Sequence, residues 1–537
     1  MKSFKVLLIC FTLGMIAYGA TLPKELQALK NDLSDDDLFS TIKIMEKANK
    51  ITRQEYIEKN PALELTKEEK DNGFVLFICN YLSDIRPATI PKREEVKTDI
   101  NIFATPGEYE PAAFALYPVK NVNRVKVTIG DLKNEKGDVI PKENIVVKVV
   151  RYNANYLKEG GTLYEVAPEM LEKKDSLDLT EGICKEYWLT VKIPENAGEG
   201  DYKAEILVKA GDKASAKLIL NVKVLPFALL TPPDVTYAHF YSVHKDMALA
   251  EKVLNILKEY GSNSVTPTTI ISLVKENNKV SIDFSKADKF MDVYKKVFGT
   301  SKAVPLFDMI PMLGAQNKDT DAWTEEYLND SKRRLLLIKD HAEKNNWPPV
   351  LMYLSSELGN IGKKAYDWGL RIVKEWRTVP DIRIVASPNG NGELVLLPYL
   401  DVVMYNASVP ISEDTIKKAK DAKVELWYQN IGMTRYNEGF LLWRTGAKGR
   451  RQFYANGTIA DPTAHWPIGL LYFTKKDILI SLSLERGREG GDDLKYVYTL
   501  ESLIKEAKKD GQDTKESEKV LEDIYKELPV NIAEYTG

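Results

Sequence analysis

Ser356 and Glu357 close an apolar run, residues 350–354, that is bounded by turn residues at Gly359 and Gly362. A carboxylic acid in such a place can give a proton to a leaving group and take one back from water. Helical patterns over 323–343 and 363–376 flank the run. A strand buried between helices belongs to a parallel sheet, and α/β barrels carry their chemistry at the carboxyl ends of their strands. The plainer role for Glu357 is to cap the next helix, where acids are favoured.

Seven further strand patterns surround this one, at 237–243, 264–266, 304–309, 383–386, 402–405, 424–428 and 452–454, most of them separated by amphipathic helices. Eight strands alternating with helices over this length indicate a (β/α)8 TIM-like barrel. A doubly wound sheet is the alternative, but no glycine fingerprint follows the first strand. The strand ends offer His239 and Tyr241; Asp308; Ser356 and Glu357; Ser387 and Asn389; Tyr405 and Asn406; Trp427, Tyr428, Gln429 and Asn430; and Tyr454 and Asn456. Aromatic rings can stack on the C–H faces of sugars, while amides and hydroxyls can bind sugar hydroxyls. Ordinary packing is the competing role for each aromatic, and a satisfied core histidine is the competing role for His239.

The remaining composition narrows the classes. Lys plus Arg total 75 and Asp plus Glu 78 in 537 residues, a net charge of −3. That balance gives no footprint for nucleic acid, and Lys448, Arg450 and Arg451 read as a solvated loop. Four His and three Cys are scattered without metal-ligand spacing, so neither a metal nor a cofactor is expected. Residues 1–20 combine Lys2 and Lys5, an apolar run and a small-residue end at Gly19-Ala20, the pattern of a signal peptide on an exported protein, periplasmic or extracellular. No later segment is apolar enough to span a membrane. Cys79 and Cys184 could pair or stay as buried thiols. The oligomeric state is left open.

A helical segment is expected at 21–74, and short strands punctuated by Gly and Asp fill 75–226, as in an antiparallel β-sandwich. Gly198-x-Gly200 precedes a strand and not a helix, so it is no phosphate loop. Pro226, Pro232 and Pro233 mark a boundary. The barrel should occupy 234–496, and a second helical segment 497–537.

The segments Gly107-Glu-Tyr-Glu-Pro-Ala-Ala-Phe-Ala-Leu-Tyr-Pro and Trp188-Leu-Thr-Val-Lys-Ile-Pro resemble the N-terminal domain of glycoside hydrolase family 123. Leu426-Trp-Tyr, Arg435-Tyr-Asn-Glu-Gly-Phe-Leu-Leu-Trp-Arg, Gly446-Ala-Lys-Gly-Arg and Leu484-Glu-Arg-Gly-Arg-Glu-Gly-Gly-Asp-Asp-Leu-Lys-Tyr resemble its barrel. The resemblance implies removal of N-acetylgalactosamine by substrate-assisted catalysis, with an Asp-Glu pair at the end of the fourth strand. In that chemistry the Glu is the general acid/base, and the Asp steers the substrate's acetamido group, whose oxygen is the nucleophile. Here Glu357 aligns with the Glu and Ser356 with the Asp. A serine brings no charge to the developing ring, and one lost electrostatic partner costs about 3 kcal/mol in other sites. The expected function is therefore an exported glycoside hydrolase acting through Glu357; the alternative is a carbohydrate-binding protein with a vestigial site. Asp308 is the candidate second carboxylate, about 5–9.5 Å away in a two-carboxylate mechanism. The candidate sugar contacts are His239, Tyr241, Tyr405, Asn406, Trp427, Tyr428, Gln429, Arg435 and Tyr454.

Overall fold

A computed structural model describes residues 52–53, 63–156, 163–211, 213–268, 270–276, 279–307, 313–314, 323–457, 469–474 and 477–535. The expected signal peptide, most of the expected helical segment at 21–74 and Asp308 lie outside the described residues. The chain divides into two compact units.

One unit covers 15–230 and 457–486. Its strands form two large sheets. The first runs Phe74–Cys79, Tyr109–Pro118, Lys185–Lys192, Ile145–Tyr156, Leu163–Glu172, Ile478–Ser481 and Leu471–Phe473. The second runs Leu177–Leu179, Val122–Ile129, Gly200–Ala210, Lys213–Val224 and Asp99–Ala104. Pairing is antiparallel along both, except that Lys213–Val224 pairs in parallel with Asp99–Ala104, and the two-residue strand Thr52–Arg53 with Leu163–Glu172. Period-two alternation explains the layering: Tyr202, Ala204, Ile206 and Val208 are buried and meet Phe114, Leu116, Leu189 and Val191 of the other sheet in one core. The strands at 471–481 correct the expected boundary. They fall inside the range assigned to the barrel, yet Ile480 and Ser481 pair with Leu171 and Met170 of the sandwich. Cys184 is buried and Cys79 is half-buried, and no disulfide joins them.

The other unit holds the barrel. Its strands are β1 Thr236–Ser242, β2 Thr266–Thr268, β3 Val304–Leu306, β4 Val350–Ser356, β5 Arg383–Ser387, β6 Val402–Asn406, β7 Glu425–Gln429 and β8 Gly449–Gln452. They pair in parallel in the order β2-β1-β8-β7-β6-β5-β4-β3, and β3 lies alongside β2 at the nearly closed seam. The helices are α1 Met247–Glu259, α2 Ser285–Phe298, α3 Glu325–Lys344, α4 Lys363–Trp376, α5 Glu413–Asp421, α6 Arg435–Glu438, α7 Phe440–Thr445, α8 Leu482–Lys509, which enters this unit at residue 487, and α9 Lys515–Glu527. α4 shows why they form: Ala365, Trp368, Ile372, Val373 and Trp376 recur at helical spacing and are buried. Phe240, Leu351, Tyr353, Val385, Val402, Met404 and Trp427 fill the barrel interior.

The Arg-Gly-Arg-Glu-Gly-Gly-Asp-Asp segment lies inside α8. A side chain at Gly490 would collide with the carbonyl of Arg435, and one at Gly439 with the carbonyl of Gly490. These glycines bring α8 against α6, where Arg435 grips Asp493 through two bonds of 2.7 Å. Gly490→Ala should therefore cost about 1–3 kcal/mol by overpacking. Urea denaturation measures this, and an unchanged midpoint would mean that the contact is not close-packed.

Candidate active site

Registered partners in a parallel ladder share a face. Tyr353 pairs with Val385, Ser355 with Ala386 and Ser356 with Ser387, with a register shift between Tyr353 and Ser355. Tyr353 and Val385 face the interior. The shift therefore turns Ser355 toward the helices and Ser356 inward, beside Ser387. Bulges are used in this way to re-aim a side chain near a site.

Glu357 follows directly. Its backbone is left-handed, φ 61° and ψ 40°, and its side chain makes no capping bond to the turn after it. The helix-cap role is thus not what the structure contains. Asn406 Nδ2 donates to Oε1 at 2.9 Å and Asn360 Nδ2 to Oε2 at 3.1 Å. Each amide is fixed by the next. Asn430 Nδ2 donates to Asn406 Oδ1 at 3.2 Å, and the Phe453 N–H donates to Asn430 Oδ1 at 2.9 Å. On the other side Asn389 Nδ2 donates to Asn360 Oδ1 at 3.0 Å. Two chains of donors, drawn from the ends of β5 to β8, thus converge on the two oxygens of one half-buried carboxyl group. Bonds in such chains polarise one another.

Below them lies a charged floor. Arg451 is fully buried and donates through Nη2 to Tyr353 Oη and Gln429 Oε1. Its guanidinium lies 4.0 Å from the Phe240 ring centre and 4.8 Å from that of Tyr353. Burial lowers the Arg451 pKa, while Tyr353 and the Glu357 carboxylate oppose that shift. Ser387 Oγ donates to the same Gln429 oxygen at 2.6 Å. At the rim Phe453 and Tyr454 are half-buried, with ring centres 4.8 Å apart and nearly parallel.

Several expected sugar contacts face elsewhere. Phe240, Met404 and Trp427 point inward, so alternation sends their neighbours His239, Tyr241, Tyr405 and Tyr428 to the helix side. Tyr405 Oη donates to the Thr415 carbonyl of α5 at 2.9 Å. Tyr428 is buried near Tyr405 and Tyr436, and Tyr241 packs on Phe290 of α2. His239 lies 2.9 Å from Ser262 Oγ and beside Arg450; burial, then Arg450, pushes its pKa well down. Trp427 faces inward but downward, donating to Glu425 at the start of β7 at 2.7 Å over Gly449. It is core and not platform. Arg435 is committed to Asp493. Arg450 and Arg451 are buried on β8 and do not form a solvated loop; Arg450 is paired with Glu438. The structure brings Ser356, Glu357, Asn406 and Gln429 together, with Tyr454 at the rim. Asn360, Glu393, Arg451 and Phe453 were missed. The acidic residue of the Gly-Asn-Gly-Glu loop was the available signal for Glu393.

An antiparallel sandwich followed by a nearly closed (β/α)8 barrel is a fold shared with a family 123 glycoside hydrolase. Residues 88–210 match the glycoside hydrolase 123 N-terminal domain, and the chain has a family 123-like fold. It is similar to a family 123 glycoside hydrolase from Clostridium perfringens studied for glycolipid glycan hydrolysis. The TM-score is 0.68 at 15% identity, over 81% of this chain and 90% of that one. A family 39 glycoside hydrolase from Bacteroides cellulosilyticus WH2 gives a TM-score of 0.37 at 13% identity, over 73% and 81% of the two chains. A search of curated protein sequences gives no match.

The two aromatic sets should separate in stability. Tyr405→Ala and Tyr428→Ala, on the packed helix side, should each cost about 3–5 kcal/mol, and Phe453→Ala and Tyr454→Ala less than half as much. Equal losses in denaturant titrations of the four variants would contradict this placement.

Proposed function

We propose that the protein is an exported glycoside hydrolase with Glu357 as its general acid/base, acting on glycans of the 2-acetamido type. The observation that carries this reading is the convergence of Asn360 and Asn406 on the two Glu357 oxygens at the open end of β4. Two donors fix the plane of the carboxyl group, and a fixed plane is what in-line proton transfer to a glycosidic oxygen requires. The inward Ser356 hydroxyl stands where it can accept an acetamido N–H. The Phe453 and Tyr454 rings offer apolar faces for a sugar ring at the rim. Arg451 supplies a fixed positive charge beneath the carboxyl group.

One observation favours a second reading. Ser356 brings no charge to the oxazolinium-like ring that the acetamido mechanism needs, as a sugar-binding protein with a vestigial site would also have it. Turnover separates the two readings. Glu357→Gln keeps the shape but cannot cycle a proton. Hydrolysis of an aryl glycoside that the wild type cleaves should fall by about 10²–10⁴-fold, with the melting temperature little changed. Near-normal turnover in this variant would remove Glu357 from the chemistry.

A further inference from the structure

We propose that Glu393 is a positioning residue of this site: its carboxylate pins the turn after β4 and so sets the direction of the Glu357 side chain. The proposal rests on the reading of Glu357 as the acid/base. Glu393 lies in the 3-10 segment Asn391–Tyr399 that links β5 to β6, and it is 1% exposed. Its Oε2 accepts the Leu358 N–H at 2.9 Å, and its Oε1 accepts the Gly359 N–H at 2.7 Å and the Asn389 N–H at 2.6 Å. These are the two residues directly after Glu357 and the residue whose amide begins one of the donor chains. One carboxylate thus ties the β4 and β5 ends together.

The tie is needed because Glu357 is held where L-residues rarely sit, at φ 61°. Such a conformation persists only where its surroundings over-determine it. The backbone adds two restraints of its own, Glu357 N–H to the Ser387 carbonyl at 2.9 Å and Asn360 N–H to the Glu357 carbonyl at 3.1 Å. Gly359 leaves room for the arrangement: a Cβ there would come within 2.8 Å of Glu393 Oε1.

The charge state matters. Burial pushes the Glu393 pKa up to about 7; the Glu357 charge adds to this, and the three backbone N–H bonds resist it. Glu357, from the end of β4, is the charged group that acts on it among the described residues, and from α4 the uncharged Tyr366 ring packs against neighbouring Gly392. Above about pH 7 both Glu393 oxygens are acceptors. As the pH falls through that value, one oxygen gains a proton and the turn loses part of its anchor. Stability runs the other way. A carboxyl group with a raised folded pKa stabilises fully below its unfolded value and loses that contribution as the pH rises through the folded one. The charge that orders the site therefore does not stabilise the fold, which distinguishes positioning from a purely structural role.

The test uses the full chain, wild type and Glu393→Gln. Protection factors of the Leu358, Gly359 and Asn389 amides are measured by hydrogen exchange from pH 5.5 to 8, alongside kcat and KM on a glycoside that the wild type cleaves. Wild-type protection should fall at least tenfold toward pH 5.5. Glu393→Gln should be weakly protected throughout. Its kcat should be lower by about tenfold with KM changed less than about threefold, its acid limb near pH 7 should be lost, and its stability at pH 8 should be undiminished. Gly359→Ala should reproduce the loss of protection and of kcat if Glu393→Gln fails to fold. Protection independent of pH in the wild type, or unchanged kcat in a folded Glu393→Gln, would overturn the proposal. Should the wild type cleave no glycoside, the hydrolase reading fails, and the wild-type protection factors alone decide for or against the Glu393 tie.

Discussion

The backbone of Glu357 is left-handed, and most of what surrounds it serves to keep it so. A glutamate gains nothing locally from φ 61°, and such conformations cost on the order of 1–3 kcal/mol. Hydrogen bonds from the ends of β5 and β6 and from the turn after β4 hold it. Asn430, another non-glycine residue with positive φ, at 54°, sits at the end of β7 in the same amide chain. Backbone outliers that share one hydrogen-bond network mark a place where the fold gives up local preference for a fixed geometry.

Barrel parity then decides which side chains can reach that geometry. Every second residue of a strand faces the interior. The register shift within β4 swaps that parity for its last residues and turns Ser356 inward while Ser355 is lost to the helix side. The floor is set by the same rule. Arg451 faces inward and lies under the carboxyl group, while its neighbour Arg450 points the other way, into the pair with Glu438. Adjacent arginines of one strand thus carry separate roles.

The elements were largely legible in the sequence, because helix periodicity and β-rich runs survive without tertiary knowledge. The pattern at 363–376 matches α4 residue for residue, and most barrel strands fall within two residues of their expected bounds. Facing was not legible. A parallel strand such as Val402–Asn406 is buried on both sides, so no polar alternation shows which of Met404 and Tyr405 looks inward. The expected sugar contacts Tyr405 and Tyr428 lie on the helix side for that reason, whereas Trp427 does face inward but is turned down onto Glu425. Glu393 showed only as an acid in a Gly-Asn-Gly-Glu loop: its bonds to Leu358 and Gly359 span 35 and 34 residues, so its partners were not legible. The sandwich return at 471–481 was missed because two short strands following a barrel pattern read as its continuation.

Ser356 is the weakest point of the proposed acetamido chemistry, because its hydroxyl brings no charge to the developing ring, and one substitution isolates it. The most direct measurement is sugar release by the wild type and by Ser356→Asp from matched 2-acetamido and 2-hydroxy glycosides. Release by the wild type from an acetamido substrate is expected, with a rise of tenfold or more in Ser356→Asp, since about 1.4 kcal/mol of added stabilisation of the developing ring is tenfold in rate. No release from any acetamido glycoside by either protein would contradict it.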